Sequence, residues 1–184
     1  MTKKKIFLRI IVCALLVLIM LWGACSFLMH IYKDYDIFVA GKLVTNRNAD
    51  DILGDGTVYY DIHNNFLVLN NATIESENWP VYSKVDLNVE LIGENKLICK
   101  NKEYSGGIYA GDYNLAKDLA IIGEGSLTIE IPDECEEVIG LFASKLLIAS
   151  DINVITPNCE DKVNGILCDS SLLVINKATV SVNN

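Results

Sequence analysis

The chain has 184 residues, 51% of them hydrophobic, and a formal net charge of −9, enough for one domain or for one domain plus an anchor. Four of its fifteen Lys and Arg residues precede residue 10, and all 24 Asp and Glu residues follow residue 30, so the balance beyond that point is 11 minus 24, or −13. Such a surface repels bare polyanions, which excludes nucleic acid as a partner, and an acidic polysaccharide would need a bridging cation to bind it.

The first element is an apolar run. Residues 10–29, IIVCALLVLIMLWGACSFLM, form twenty residues without a charge, preceded by Lys3, Lys4, Lys5 and Arg9. About 20 such residues cross a bilayer core as a helix, whereas the core of a cleavable signal is roughly 7–15. Residues 1–31 are therefore expected to be one N-terminal transmembrane signal-anchor or a signal peptide. Positive charge stays inside, which places the remainder outside the cell. Two processed forms compete with the anchor. Cys25 in WGAC resembles a lipoprotein box, though Trp22 stands where a small aliphatic residue belongs. Ala24 and Ser26 suit a signal-peptidase site, though apolar Phe27, Leu28 and Met29 follow. The expected location is the cell membrane, single-pass with the C-terminal domain outside, or else secreted.

Residues 35–65 come next and have no later copy. VAGKLV reads as a hairpin around Ala40 and Gly41, and GDGT as a tight turn before the strand VYY. This stretch is expected to be an N-terminal β cap. Its Asp50, Asp51 and Asp55 have two readings: oxygen ligands for calcium, or ordinary turn chemistry.

From residue 66 the chain repeats itself. LVLNNATI at 67–74 returns as LVINKATV at 173–180. Between them lie VELIGENKL at 89–97, LAIIGEGSL at 119–127 and LLIASDINV at 146–154. A second ladder precedes each new copy: PVYS 80–83, GIYA 107–110, GLFA 140–143 and GILC 165–168. Its columns are Val81, Ile108, Leu141, Ile166 and Tyr82, Tyr109, Phe142, Leu167. The strands alternate with period 2, and no helical period appears after residue 35. The expected fold is all-β, a parallel β-helix or solenoid of about four to five coils over residues 66–184. Its inward columns are Leu67/Leu69, Val89/Leu91, Leu119/Ile121, Leu146/Ile148 and Leu173/Ile175. Leucine-rich repeats have a similar period, but their L-x-x-L-x-L pattern is absent.

YDIFVAGKLVTNRNADDILGDGTVYYDIHNNFLVLNNATI, with LNVELIGENKL, GGIYAG and LAIIGEGSLTI, resembles the bacterial exported carbohydrate-binding β-helix domains common in anaerobic Firmicutes. The likeness covers residues 35–184. It implies a right-handed parallel β-helix, binding of extracellular plant or acidic polysaccharide without demonstrated catalysis, and calcium in at least some members. No calcium-ligand motif can be carried over residue by residue.

Aromatic rings bind sugars through apolar C–H contact. The column Tyr82, Tyr109, Phe142 is one candidate, provided that Val81 and Ile108 point inward; otherwise the rings belong to the core. Trp79, Tyr104 and Tyr113, in turn-like segments at the same edge, form the more accessible platform. The acidic run DECEE at 133–137 reads as a solvated loop.

Of the exported cysteines, Cys135 lies five residues before Gly140 and Cys159 six before Gly165, stacked positions that suit a disulfide. The alternative is that the cysteines are buried as small hydrophobes.

A β-helix polysaccharide lyase or hydrolase is the rival class. The repeats contain no arginine, Asp112 and Asp169 lie two coils apart with Ser144 between them, and His30 and His63 have no evident partners. A third class is a stalk or truncated solenoid without ligand. The last coil is expected to leave Leu173, Ile175 and Val180 partly uncovered. That edge suits end-to-end self-association or a longer natural chain.

Overall fold

The computed structural model describes residues 11–23, 32–112, 115–131, 135–155, 162–175 and 179–183. The chain divides into two compact units, Met1–Lys33 and Asp34–Asn184.

In the first unit, residues 11–23 form helix α1. Among the described residues no helix is long and apolar enough to cross a membrane. The expected transmembrane helix is corrected accordingly.

The second unit is built of strands. Its N-terminal part contains β1 (Asp34–Val39), β2 (Lys42–Thr45), β3 (Val58–Asp61), β4 (Phe66–Asn70), β5 (Thr73–Ser76) and β6 (Val81–Ser83). β7 (Leu87–Ile92), β8 (Glu94–Cys99), β9 (Tyr104–Asp112), β10 (Leu115–Ala116), β11 (Leu119–Gly123) and β12 (Ser126–Glu130) follow. The last are β13 (Glu137–Ile148), β14 (Asp151–Ile155), β15 (Lys162–Val174) and β16 (Val180–Asn183).

The parallel β-helix expectation is corrected by the sheet as a whole. β1 pairs antiparallel with both β2 and β6, β3 with β4, and β9 with β10. These join the parallel pairs in one mixed sheet of eleven strands, nearly closed like a barrel, beside a separate five-stranded sheet. The cause is local. Ala40 and Gly41, at φ 48° and 75°, make a two-residue turn that can only return the chain antiparallel. The short turn at residues 62–65, with Asn65 at φ 57°, does the same for β3 and β4. The stretch read as a separate cap is thereby woven into the main sheet, and β3 pairs with β4 across residue 65.

The repeated segments do pair with one another in parallel. Leu119, Ala120 and Ile121 lie opposite Leu146, Leu147 and Ile148. Val81, Ile108, Leu141 and Ile166 form one register column. The two octets sit at the two ends of these parallel runs: β4 and β5 pair with β7 and β8, while β15 and β16 pair with β13 and β14.

Two registers differ from the expected columns. Leu119 lies opposite Leu87 rather than Val89, a two-residue offset that keeps the same face inward. In β15 an irregularity opposite Ala143–Lys145 inserts one residue, so Leu172 and Val174, not Leu173 and Ile175, face Leu146 and Ile148. A one-residue offset exchanges the two faces of a strand. Leu172, Leu173, Val174 and Val182 are exposed at this edge.

The core lies between the two sheets. Gly107, Gly140 and Gly165 stand where side chains of the smaller sheet press in. A Cβ at Gly107 would meet Ile129, one at Gly140 would meet Val154, and one at Gly165 would meet Val182. Ile129 pairs with Val154, and Val154 with Val182. A column of glycines thus receives a column of β-branched side chains, which explains why three of the four short repeats begin with glycine.

Candidate functional site

Strand alternation turns one ring row outward. Val81, Ile108 and Leu141 are fully buried. Their neighbours Tyr82, Tyr109 and Phe142 therefore point to the other face and are half-buried. In-register pairing stacks them, and the antiparallel β1 adds Phe38 opposite Tyr82. Ring centroids are 5.7 Å apart for Phe38–Tyr82, 5.8 Å for Tyr82–Tyr109 and 4.5 Å for Tyr109–Phe142. The last pair lies at 20° and is stacked.

Trp79, just before β6, leans on this ladder at 5.0 Å and 55° from Tyr109. Its six-membered ring occupies the space a Cβ would take at Gly106. Glycine there lets the indole settle on the backbone of β9. Tyr104 opens β9 with 62% of its surface exposed.

A surface trough runs along these rings in two adjoining sections. One, of about 350 Å³, is lined by Trp79, Tyr82, Tyr104, Tyr109, Glu137 and Ile139. The other, of about 480 Å³, is lined by Phe38, Gly41, Asn78, Trp79, Tyr82 and Lys84. Trp79 and Tyr82 belong to both. The ladder rings spend much of their faces on one another, Tyr109 against Tyr82, Trp79 and Phe142 together. The ring of Tyr104 is the most exposed of those lining the trough, with Trp79 shared between its two sections.

Among the described residues two charged side chains line the trough, Glu137 and Lys84. The Lys84 ammonium stands 5.7 Å from the Phe38 centroid. Burial, then the charges of Asp169 and Asp112, push the Tyr109 phenol above its ordinary value.

The structure brings together Trp79, Tyr82, Tyr104 and Tyr109 from the expected platform. Tyr113 lies outside the described residues. Phe38 was missed, although alternation in DYDIFV and the Ala40–Gly41 turn carry its signal. Glu137 was read as the end of a solvated acidic loop. It is the first residue of β13 and turns into the trough.

Two of the three expected acidic residues bond within their own turn. Asp51 Oδ1 accepts the Gly54 and Gly56 N–H groups at 2.8 and 3.0 Å. Asp55 Oδ1 accepts the Thr57 hydroxyl at 2.7 Å and N–H at 3.0 Å, bonds that hold its carboxyl below the usual value. Asp50 is exposed beside them. Among the described residues no group of three or more His, Cys, Asp or Glu is arranged to hold a metal ion. Cys135 is buried, and its Sγ lies 3.5 Å from the Ser105 Oγ. Cys159 lies outside the described residues.

No catalytic set converges among the described residues. Asp112 and Asp169 are exposed, and Ser144 Oγ meets Ser170 Oγ at 3.3 Å rather than a base. His63 lies in an exposed turn, where its N–H bonds the Asp61 carboxylate, and His30 lies outside the described residues. No protein-family model matches this chain, and no curated protein or solved structure matches it.

Proposed function

We propose that the chain is a non-catalytic, exported polysaccharide-binding protein and that the aromatic trough is its binding surface. One observation carries the reading: Trp79, Tyr82, Tyr104 and Tyr109 line one surface trough along a ladder of rings held in register by four paired strands. A sugar ring has apolar C–H faces that pack on such rings, and hydroxyls that bond the polar groups beside them. The resemblance to exported carbohydrate-binding domains supports the same reading. So does the N-terminal apolar run behind its lysines, which supports export. The acidic remainder of the chain is unsuited to a nucleic acid.

The test is co-sedimentation of the purified chain with insoluble cellulose, xylan and pectin, in calcium and in chelator. Retention on at least one glycan, reduced by Trp79→Ala, is expected. A chain retained on none is a structural element without a glycan ligand. Release of unsaturated or reducing ends would overturn the non-catalytic assignment.

A further inference from the structure

The trough repeats its ingredients on either side of Trp79. One section holds the rings of Tyr104 and Tyr109 with the Glu137 carboxylate, and the other holds the Phe38 ring with Asn78 and Lys84. Trp79 and Tyr82 line both and form the join. Each section thus has a ring and a hydrogen-bonding side chain, the two things that one sugar ring needs. The sections follow one another across the strands. Phe38 on β1, Tyr82 on β6 and Tyr109 on β9 are register neighbours, with centroids 5.7 and 5.8 Å apart. Adjacent strands lie about 4.8 Å apart, and an extended glycan advances by close to that step per sugar. Either section alone, at about 350 or 480 Å³, is large enough for a small ligand, and the two in line suit a chain.

The join is built in advance. Trp79 rests on Gly106 of β9, where a Cβ would collide with its six-membered ring and with the Ile139 carbonyl oxygen. The turn that carries the indole is held on both sides. The Asn78 N–H donates to Ser76 Oγ at 3.2 Å, and the Asn78 carbonyl accepts from the Cys99 thiol at 3.5 Å. The Pro80 carbonyl accepts the Ala40 N–H at 2.8 Å. A ring fixed before the ligand arrives loses little freedom on binding.

From this doubled arrangement we infer that the trough is two sugar subsites in line, one at Tyr104 and Glu137 and one at Phe38 and Lys84, and that its ligand is a linear run of sugars crossing Trp79 to fill both at once. The inference rests on the polysaccharide-binding reading and adds the mode of engagement. Chain length, read on either side of Trp79, is then what the trough selects.

The experiment is competition. The full chain is retained on insoluble cellulose, xylan or pectin, and soluble oligosaccharides of the retaining polymer, from the monosaccharide to the hexasaccharide, are added to release it. Potency per mole should rise with length and then level off, gaining roughly 3–10-fold once the run reaches past Trp79, the value of one further ring contact. Tyr104→Ala removes an exposed ring from one section, and Phe38→Leu keeps the bulk but loses the ring in the other. Each should weaken the hexasaccharide by a similar factor. Lys84→Ala reads the second section from its rim in case the change at residue 38 disturbs β1, as thermal unfolding would show. A monosaccharide as potent as the hexasaccharide would overturn the inference while leaving polysaccharide binding intact. So would a hexasaccharide unaffected by Tyr104→Ala, or unaffected by both Phe38→Leu and Lys84→Ala, by confining the ligand to one section or placing it elsewhere. Retention on none of the three polymers would overturn the binding reading itself, and the paired subsites with it.

Discussion

Replacing Gly107 by alanine should destabilise the fold, although the same change in an open strand stabilises a protein by about 0.4–1 kcal/mol through the unfolded chain. The sign is decided by Ile129. A Cβ at residue 107 would stand 2.5 Å from Ile129 Cδ1, 2.8 Å from Ile129 Cγ2 and 2.9 Å from the Gly140 carbonyl oxygen. Carbon atoms pack best at about 3.5–4.0 Å, so Ile129 or the strand must yield by about 1 Å. Overpacking of that kind costs about 1–3 kcal/mol. Ile129→Val removes the Cδ1 atom and by itself costs about 0.5–1.5 kcal/mol. The two changes should not add: the double variant should recover about 0.5–3 kcal/mol relative to the sum of the singles. Urea unfolding of the four proteins measures the cycle. Thermal unfolding should show Gly107→Ala lower by roughly 2–12 °C, at about 2–4 °C per kcal/mol. A neutral or stabilising Gly107→Ala, or strict additivity, would refute the packing of glycine column against β-branched column.

Asn95 is buried, accepts the Ala72 N–H at 2.9 Å and donates to the Ile92, Gly93 and Ser126 carbonyls. Asn95→Leu should cost about 1–3 kcal/mol, read by urea unfolding, because those buried backbone groups lose their partner. Asp61 accepts from the Asn64 side chain and N–H and from the His63 N–H, which lowers its carboxyl below the usual 3.8. A depressed carboxyl contributes stability that is present above 3.8 and fades as pH falls through the folded value. The melting temperature of Asp61→Asn should therefore approach that of the unaltered chain on acidification and fall below it near neutrality. β15 has no strand partner beyond β13 among the described residues. Expected self-association through this edge should appear as concentration-dependent mass in light scattering and should be lost in Leu172→Lys with Val174→Lys.

The ring column and its inward neighbours were legible because a glycine precedes three of the four repeats and pins their alignment. The leading apolar octets pinned less. Leu87, Val89 and Leu91 offer the same face at two-residue steps, so the sequence alone does not choose between Leu87 and Val89 as the partner of Leu119. The extra residue in β15 leaves no mark in SSLLVIN, where consecutive apolar residues suit either face. The fold class went astray at residues 35–65. Ala40–Gly41 was read as a hairpin, but which further strand β1 would join depends on contacts far away in sequence. That pairing with β6 makes the sheet mixed and adds Phe38 to the trough. Asp51 and Asp55 illustrate a different limit: one residue type suits a metal or a turn, and the spacing in NADDILGDGT does not show that these two accept the Gly54, Gly56 and Thr57 N–H groups.

The most direct measurement uses the chain's two tryptophans, Trp22 and Trp79. In a Trp22→Phe chain the emission reports Trp79 alone. Titration with a soluble oligosaccharide should shift that emission to shorter wavelength, with a saturable dependence, as the sugar displaces water from the indole. Tyr104→Ala should move the midpoint to higher concentration. An unchanged Trp79 spectrum at sugar concentrations where the chain is retained on the matching insoluble glycan would contradict the trough as the binding surface.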